Sequence, residues 1–246
     1  MASTSPASAG SGSTPIAPLA PIALPGPTVT AGFWADRLRV NREQTLPHGF
    51  AQLRRAGNLT NLGLAAGAQG RYKTLGARFG LDFPFLDSDV YKWLEAAAWE
   101  LGRLDDHDLR RSATEAIALV VAAQRQDGYL NSYVQVAAPG REYQDLAWGH
   151  ELYCIGHLIE AAIAWHRLLG DDRLLGVAIR ATDALDRALG SVAGPPIDGH
   201  PEIEMALIEL FRTTGQAPQR RKGPVRREPP RAPMTAQPGA DSRNPH

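Results

Sequence analysis

The sequence has 246 residues, a formal net charge of +0 and 43% hydrophobic residues, which is enough for a sizeable core in one or two domains. The balanced charge excludes a general attraction to nucleic acid or to anionic membranes. No apolar run approaches the roughly 18 to 20 residues that cross a bilayer. The single cysteine, Cys154, excludes an intrachain disulfide and a zinc site built from several cysteines of this chain. We therefore expect a cytoplasmic, globular protein without nucleic-acid or membrane partners.

Both ends of the chain have compositions that do not favour a packed structure. Residues 1–30 are mostly Ala, Ser, Pro and Gly, and they lack the basic start and the uninterrupted apolar segment of a secretory signal. Residues 216–246 are rich in Pro and Arg, and a basic tail without aromatic residues is weak evidence for RNA binding. We predict a disordered leader over 1–30 and a disordered or frameshifted tail over 216–246, which leaves residues 31–215 as the folded domain.

The first part of this domain is predicted to be only partly helical. Order is expected to begin at Phe33 and Trp34. Residues 37–55 form a polar, helix-like stretch that Pro47 breaks. Residues 58–78 are rich in Gly and Asn and are therefore predicted to form a loop.

Two amphipathic helices are predicted next. Residues 85–103 carry apolar side chains at three- and four-residue spacing, and Ser88 or Asp89 is a natural N-cap. Residues 108–126 repeat this spacing. The positions expected to face inward on the second helix are Leu109, Ala116, Ile117, Val120 and Val121. Each helix is therefore expected to contribute one face to the core.

A turn and a loop separate these two helices from the most apolar one. The turn is predicted at Asp127-Gly128, and the loop extends from Tyr129 to Trp148. Residues 150–170, which read HELYCIGHLIEAAIAWHRLLG, have apolar positions on nearly all sides of a helix. This pattern is typical of a helix that is buried between several neighbours.

The remaining residues complete a repeat of helical hairpins. Residues 172–189 form a charged amphipathic helix, and a turn at 194–196 precedes a last helix from 199 to 211. The first, third and fifth of the five helices after residue 85 are the more apolar, whereas the second and fourth carry more charge and follow short loops. We predict hairpins with parallel inner helices, whose polar starts converge at the mouth of an all-α toroid.

Two histidines lie at the starts of inner helices. His150 and Glu151 open the third helix, and His200, Pro201 and Glu202 open the fifth. Because the positive end of a helix dipole disfavours an imidazolium, we expect the His150 ring to be neutral, with one donor and one acceptor for a polar ligand. His200 has the same position in its helix, and Pro201 suits a first turn. From the residues alone, a structural cap or a surface histidine stays open for both.

Other polar groups can be explained either by a structural role or by a role in binding or catalysis. His150, Cys154 and His157 occur at i, i+4 and i+7 on one helix face, a spacing that could serve zinc. Core packing is favoured for Cys154, because a small cysteine is commonly buried as an apolar residue. Asp87 and Asp89 could act as the carboxylate pair of a glycosidase, although helix capping explains them more simply.

Four stretches of the sequence, in order, carry a family resemblance. They are FLDSDVYKWLEAAAWEL (85–101), QRQDGYLNSY (124–133), HELYCIGHLIEAAIAW (150–165) and DGHPEIEMALIELFRTTG (198–215). Together with the Phe33-Trp34 start, they resemble glycoside hydrolase family 127, the β-L-arabinofuranosidases and their relatives. Together with the Phe33-Trp34 start, these blocks are spread along most of the length of the predicted domain.

The resemblance implies an (α/α)6 barrel followed by β-sandwich domains, of which this chain would cover roughly the first third to half. It also implies that His150 and His200 contact the sugar. From the residues alone, the turn at 127–130 carries an aromatic ring, Tyr129, that is able to stack on a sugar, although a structural turn is favoured. The family's acid/base glutamate, cysteine nucleophile and zinc ligands lie further on, and this chain ends, or changes frame, before it reaches them. Cys154 does not match the nucleophile. We expect no cofactor in this chain, whereas zinc is expected in a full-length member.

Two functions of different classes follow from these observations. The first is a glycosidase that releases terminal L-arabinofuranosyl residues from carbohydrate, with this chain inactive alone because it lacks the catalytic residues. The alternative is a helical-hairpin module that binds carbohydrate without chemistry, or an inactive fragment. Because a partial ring leaves helix flanks uncovered, we also expect loose packing and association. The side chains expected to be exposed on those flanks are Trp93, Leu94, Leu207 and Leu210.

Overall fold

Helices form the regular structure of residues 28–75, 83–190 and 197–215, the ranges that the computed structural model describes. In chain order they are α1 (Phe33–Val40), a π-helical turn (Asn41–Thr45), α2 (Leu46–Ala56), α3 (Asn58–Ala65), α4 (Asp87–Arg103), α5 (His107–Ala123), α6 (Ser132–Ala137), α7 (Leu146–Gly149), α8 (Glu151–Leu169), α9 (Arg173–Leu189) and α10 (Glu202–Thr214). The predicted all-α class is confirmed. The predicted turn at 194–196, the leader before residue 28 and the tail lie outside the described residues. None of the described helices is long and apolar enough to cross a membrane.

Helix α8 is the central helix, and it packs against α4, α9 and α10. Its small residues, such as Ala162, are fully buried and let these neighbours approach closely. Trp165 is 1% exposed, and its Nε1 donates a hydrogen bond of 2.9 Å to the Leu94 carbonyl oxygen in the middle of α4. The most apolar stretch of the sequence is therefore the most enclosed helix, as its pattern predicts.

The inner helices α4 and α8 run in parallel. At their N-terminal ends the rings of Phe85 and His150 lie 5.1 Å apart. Near their C-terminal ends, a Cβ placed on Gly102 would lie 3.0 Å from the Cβ of Leu168. The N-terminal ends of the two helices therefore lie together, and so do their C-terminal ends.

Helix α10 continues this parallel row on the other side of α8. A Cβ placed on Gly156 would lie 3.2 Å from the backbone nitrogen of Ile203, so a glycine is needed where the two backbones come together. Further along, Arg167 Nη2 donates to Glu209 Oε2 at 3.1 Å. The predicted convergence of the three inner helix starts is confirmed.

The outer helices α5 and α9 pack against α4 and α8, each after a three-residue loop. Asp106 caps α5, because its Oδ1 accepts hydrogen bonds from the backbone nitrogens of Asp108 and Leu109. The inward positions predicted for α5 are buried apart from Val121, which is 39% exposed because it lies on the solvent side. The predicted cap of α4 was wrong, since Leu86 precedes the helix and Ser88 and Asp89 lie inside its first turn.

The N-terminal segment is more helical than its composition predicts. Helix α1, the π-helical turn and α2 follow one another without a break, and Pro47 is accommodated in the first turn of α2. The loop predicted over 58–78 was also wrong, because residues 58–65 form α3. Its Asn61 is fully buried and exchanges two hydrogen bonds of 2.8 and 2.9 Å with the backbone of Lys73.

Two short helices occupy the region that was predicted as a loop before Trp148. Asn131 caps α6 by accepting a hydrogen bond of 2.9 Å from the backbone nitrogen of Val134. Asp145 caps α7 by accepting one of 3.3 Å from the backbone nitrogen of Trp148. Side-chain caps therefore give regular structure to segments that are too short to show a helical period.

The flanks predicted to be exposed are largely covered. Trp93 is 8% exposed, because Phe50 of α2 packs on its ring at 4.7 Å and its Nε1 donates to the Leu46 carbonyl oxygen at 2.9 Å. Leu94 and Leu210 are also buried. Helix α2 thus covers the flank of α4. This contact was not predicted, because the helix-like stretch at 37–55 was expected to be broken at Pro47.

Candidate functional site

His150 lies at the mouth of the inner helices, between α7 and α8. Its φ of 51° is in the left-handed region, which few residues other than glycine adopt. The side chain is 15% exposed, and its buried Nδ1 has no hydrogen-bond partner among the described residues. The nearest carboxylate oxygen, Asp198 Oδ1, is 3.7 Å from Nδ1, which is too long for a hydrogen bond. A carboxylate on this side favours the Nδ1–H tautomer and leaves Nε2 as an acceptor.

His200 meets His150 from the entrance of α10. The two ring centroids are 4.7 Å apart, and the ring of Tyr153 lies 4.7 Å from that of His200. On the other side, Phe85 and the half-exposed Trp148 lie 5.1 and 6.4 Å from the His150 ring. We call these five residues the mouth cluster. The structure therefore brings the two predicted histidines together at one surface.

Two residues that the sequence did not single out hold α10 against the start of α8. Asp198 Oδ2 accepts a hydrogen bond of 3.0 Å from the backbone nitrogen of Tyr153, in the first turn of α8, and Oδ1 accepts one from the His200 nitrogen. A Cβ on Gly199 would lie 2.8 Å from the Ala147 carbonyl oxygen and 3.0 Å from His150 Cε1. The aspartate and glycine directly before His200 are the signal that could have found this arrangement.

Glu151 anchors the loop that precedes α8. Its carboxylate is 3% exposed and accepts hydrogen bonds from the Tyr129 hydroxyl and from the backbone nitrogen of Tyr143. Tyr143, like His150, has a positive φ, so the carboxylate stabilises a backbone that is otherwise disfavoured. Burial is the main cause that raises the pKa of Glu151. We infer that Glu151 positions the neighbouring His150.

Tyr129 does not lie in the opening. The predicted turn is present, with Gly128 at a φ of 90°, but Tyr129 is only 4% exposed and its hydroxyl is directed at Glu151. This burial supports the favoured structural role of Tyr129 rather than stacking on a sugar. Trp148 is the exposed aromatic residue beside His150.

The electrostatics at the start of α8 favour neutral imidazoles for His150 and His157 at neutral pH. Burial, followed by the neighbouring His200, lowers the pKa of His150. The predicted direction is correct, but burial rather than the helix end is the main cause. Burial, Lys92 and His200 lower the pKa of His157 to about 4, and its Nδ1 lies 3.4 Å from Glu202 Oε1.

The zinc interpretation of α8 does not fit the structure. Cys154 is 1% exposed within the core, and burial raises the pKa of its thiol. The Nδ1 atom of His157 lies beside Glu202 Oε1. Within the described residues, no group of three His, Cys, Asp or Glu side chains is arranged to hold a metal. The prediction of core packing for Cys154 is confirmed.

Asp87 and Asp89 face different surroundings and do not form a catalytic pair. Asp87 is 1% exposed, and its two oxygens accept hydrogen bonds from the backbone nitrogen of Ser132, at 2.6 Å, and from the Ser132 hydroxyl. Asp89 is exposed, with Oδ2 at 3.3 Å from Asn58 Nδ2. Asp87 therefore fixes the start of α6 and does not cap α4.

Asp87 is expected to make stability depend on pH. Burial, the largest cause, raises its pKa from 3.8 to about 6, so the folded state binds the proton more tightly than the unfolded state. The contribution of protonated Asp87 to the free energy of unfolding is complete at low pH and is lost as the pH rises through about 6. The unfolding free energy of wild type minus that of Asp87→Asn should fall between pH 4 and 6.5, by roughly 3 kcal/mol at most.

Urea unfolding across this range measures the effect. Asp89→Asn is the matched control, because Asp89 is exposed on the same turn of α4, and its effect on the unfolding free energy should be small. A flat or rising difference for Asp87→Asn would contradict the assignment.

The fold agrees with comparisons to known proteins. Residues 28–218 match the family described as β-L-arabinofuranosidase, GH127 catalytic domain. The chain belongs to glycoside hydrolase family 127. The non-reducing end β-L-arabinofuranosidase of Bifidobacterium longum subsp. longum is 41% identical over 138 residues, which are 54% of this chain and 21% of that protein.

Solved structures of the family place the helices in the same way. A GH127 β-L-arabinofuranosidase from Geobacillus stearothermophilus T6 has a TM-score of 0.69 and 35% identity, over 76% of this chain and 30% of that one. A second GH127 β-arabinofuranosidase has a TM-score of 0.67 and 33% identity, with the same coverage. The chain thus spans about a fifth to a third of the length of these relatives. Its helices form part of the family's (α/α)6 barrel, as the resemblance predicts.

Proposed function

We propose that the mouth cluster is the sugar-binding part of a β-L-arabinofuranosidase active site, in which His150 and His200 contact hydroxyls of a terminal L-arabinofuranosyl residue. The observation that carries this proposal is the meeting of two imidazoles from different helices, 4.7 Å apart. One of them has a buried nitrogen that lacks a hydrogen-bond partner among the described residues. A buried nitrogen of this kind destabilises the folded protein unless a ligand or a water molecule forms a hydrogen bond with it.

The chemistry of the cluster suits a neutral sugar. A neutral imidazole offers one donor and one acceptor, which matches a hydroxyl group that can act as either. The lowered pKa of His150 keeps its ring in this form at neutral pH. Trp148, which is 47% exposed beside His150, offers an aromatic face for the C–H side of the ring.

The described residues do not supply the bond-breaking step of this proposal. Glycosidases use an acid together with a base or nucleophile. The chain has one cysteine, and Cys154 is buried with a raised thiol pKa, which makes it unreactive. The residues described here do not form a zinc site, so we derive no step through zinc. We propose that this chain binds the sugar and does not hydrolyse it alone.

A fluorescence titration tests the proposal. Methyl β-L-arabinofuranoside should alter tryptophan emission, because Trp148 lies beside the proposed sugar. His150→Ala and His200→Ala should each weaken binding by roughly 10-fold, since each removes a polar contact to the sugar worth about 1.4 kcal/mol. His107→Ala, whose side chain is 88% exposed, is the matched control and should bind as wild type does. Unchanged binding in both cluster variants would contradict the proposal.

A further inference from the structure

A shallow groove opens beside the mouth cluster, between α6 and α7. Its walls include Tyr133 and Val134 of α6, Arg141 of the loop that follows, and Asp145 and Trp148 at α7. We call this cavity the side groove. It encloses about 90 Å³, roughly the volume that three water molecules occupy in the liquid. The side groove therefore accommodates one edge of a single sugar ring rather than an extended chain.

Trp148 joins the side groove to the mouth cluster. Its ring lies 6.4 Å from that of His150, and the same residue lines the groove. Gly149 separates the two residues in sequence and also lines the groove, and it has no side chain that could block the passage between them. A ligand bound at His150 can therefore extend past Trp148 into the side groove.

Two charged side chains of the side groove have unused hydrogen-bonding groups. Arg141 is exposed, and its guanidinium has no ion-pair partner among the described residues. Asp145 Oδ1 accepts a hydrogen bond of 3.3 Å from the Trp148 nitrogen, whereas Oδ2 has no partner within the part of the chain that the structure describes. A guanidinium donates and a carboxylate accepts, so together they match neighbouring hydroxyls of a sugar.

Glu151 closes the back of the side groove and is not available to a ligand in the same way. Its buried carboxylate lines the groove but already accepts hydrogen bonds from the Tyr129 hydroxyl and from the backbone nitrogen of Tyr143. Tyr143 follows Arg141 by two residues. The carboxylate therefore fixes the loop that carries Arg141, and a groove that is formed in advance lowers the entropic cost of binding.

We propose that the side groove is the subsite for the second sugar residue of the substrate, to which the terminal L-arabinofuranosyl residue is linked. Arg141 and Asp145 contact hydroxyls of this second residue, and Trp148 lies between the two sugars. The inference rests on the proposed function, because it starts from a terminal residue held at His150.

Charge selects a neutral second residue. The carboxylate of an acidic sugar would meet Asp145, and the ammonium group of an amino sugar would meet Arg141. Like charges in contact oppose binding, and the two opposite charges of the groove leave no net attraction for either kind of sugar. A residue that carries only hydroxyl groups satisfies both side chains.

Isothermal titration calorimetry of the full-length chain tests the subsite. The probes are methyl β-L-arabinofuranoside and three disaccharides, in which a β-L-arabinofuranosyl group is linked to O2, O3 or O5 of methyl L-arabinofuranoside. At least one disaccharide should bind roughly 10-fold more tightly than the monosaccharide, because it adds polar contacts and a second ring beside Trp148. Arg141→Ala should remove most of this gain without weakening the monosaccharide. Asp145→Asn, which can still cap α7, should reduce the gain as well.

Two further variants complete the experiment. Arg111→Ala is the matched control, because it removes the same charge from α5, where the side chain is 69% exposed, and it should bind all four probes as wild type does. His150→Ala should weaken all four probes by a similar factor, since each carries the terminal residue. Circular dichroism checks that every variant remains folded.

Failure of the subsite and failure of the proposed function give different results. Equal affinities for the monosaccharide and all three disaccharides would overturn the subsite, and so would a gain that survives Arg141→Ala. Both results leave the proposed function standing if the monosaccharide binds and His150→Ala weakens it. A monosaccharide that does not bind, or that binds equally well to His150→Ala, would overturn the proposed function and the subsite with it.

Discussion

Trp165→Ala is expected to lower the free energy of unfolding by about 3–5 kcal/mol. The side chain is 1% exposed at the centre of the fold, and its Nε1 joins α8 to the Leu94 carbonyl oxygen of α4 at 2.9 Å. Alanine would leave a large cavity and an unsatisfied carbonyl group between two inner helices. Urea unfolding followed by circular dichroism measures the change.

Trp99→Ala is the matched control for this prediction. Trp99 lies on α4 but is 43% exposed, so its loss should cost less than about 1 kcal/mol. A difference of several kcal/mol between the two variants would show that the helices close around a well-packed core. Equal, small effects would instead support the loose packing predicted for a partial ring.

The second large effect is expected in catalysis by a grafted enzyme. In this graft, residues 28–215, which lie in the family match, replace the corresponding segment of the Bifidobacterium longum relative, to which the chain is 41% identical over 138 residues. His150→Ala should lower kcat/KM by roughly 30- to 150-fold, which corresponds to about 2–3 kcal/mol of lost stabilisation. The physical reason is the loss of a buried polar contact to the sugar.

Hydrolysis of an aryl β-L-arabinofuranoside measures this effect. His107→Ala in the same graft is the control and should keep the activity of the unaltered graft. Gly199→Ala should also reduce activity, because the added methyl group would press on His150 Cε1 at 3.0 Å. A His150→Ala graft with unchanged kcat/KM would return His150 to a structural role.

Local patterns predicted the inner helices well. The apolar spacing of residues 150–170 identifies α8, and the spacing of residues 85–103 identifies α4, because a buried helix repeats apolar side chains at its own period. The same spacing places His150 and His200 at helix starts, and parallel packing then brings them together. This part of the candidate site follows from local sequence.

The contacts that hold the site could not be predicted in this way, because their partners are distant in sequence. Asp198 and Tyr153 are 45 residues apart, and so are Asp87 and Ser132. Helix α3 was missed for a related reason, since the burial of Asn61 depends on the backbone of Lys73 rather than on its own helical propensity. Tertiary contacts override local preference at these positions.

The proposed contact between the two histidines and a sugar is tested most directly by NMR spectra of the imidazole groups during titration with methyl β-L-arabinofuranoside. We expect the His150 and His200 signals to shift together with one dissociation constant, because their rings are 4.7 Å apart at one site. The signal of His107, which is 88% exposed, should stay constant. Constant His150 and His200 signals, or shifts of equal size at all three histidines, would contradict the assignment of the mouth cluster as a sugar site.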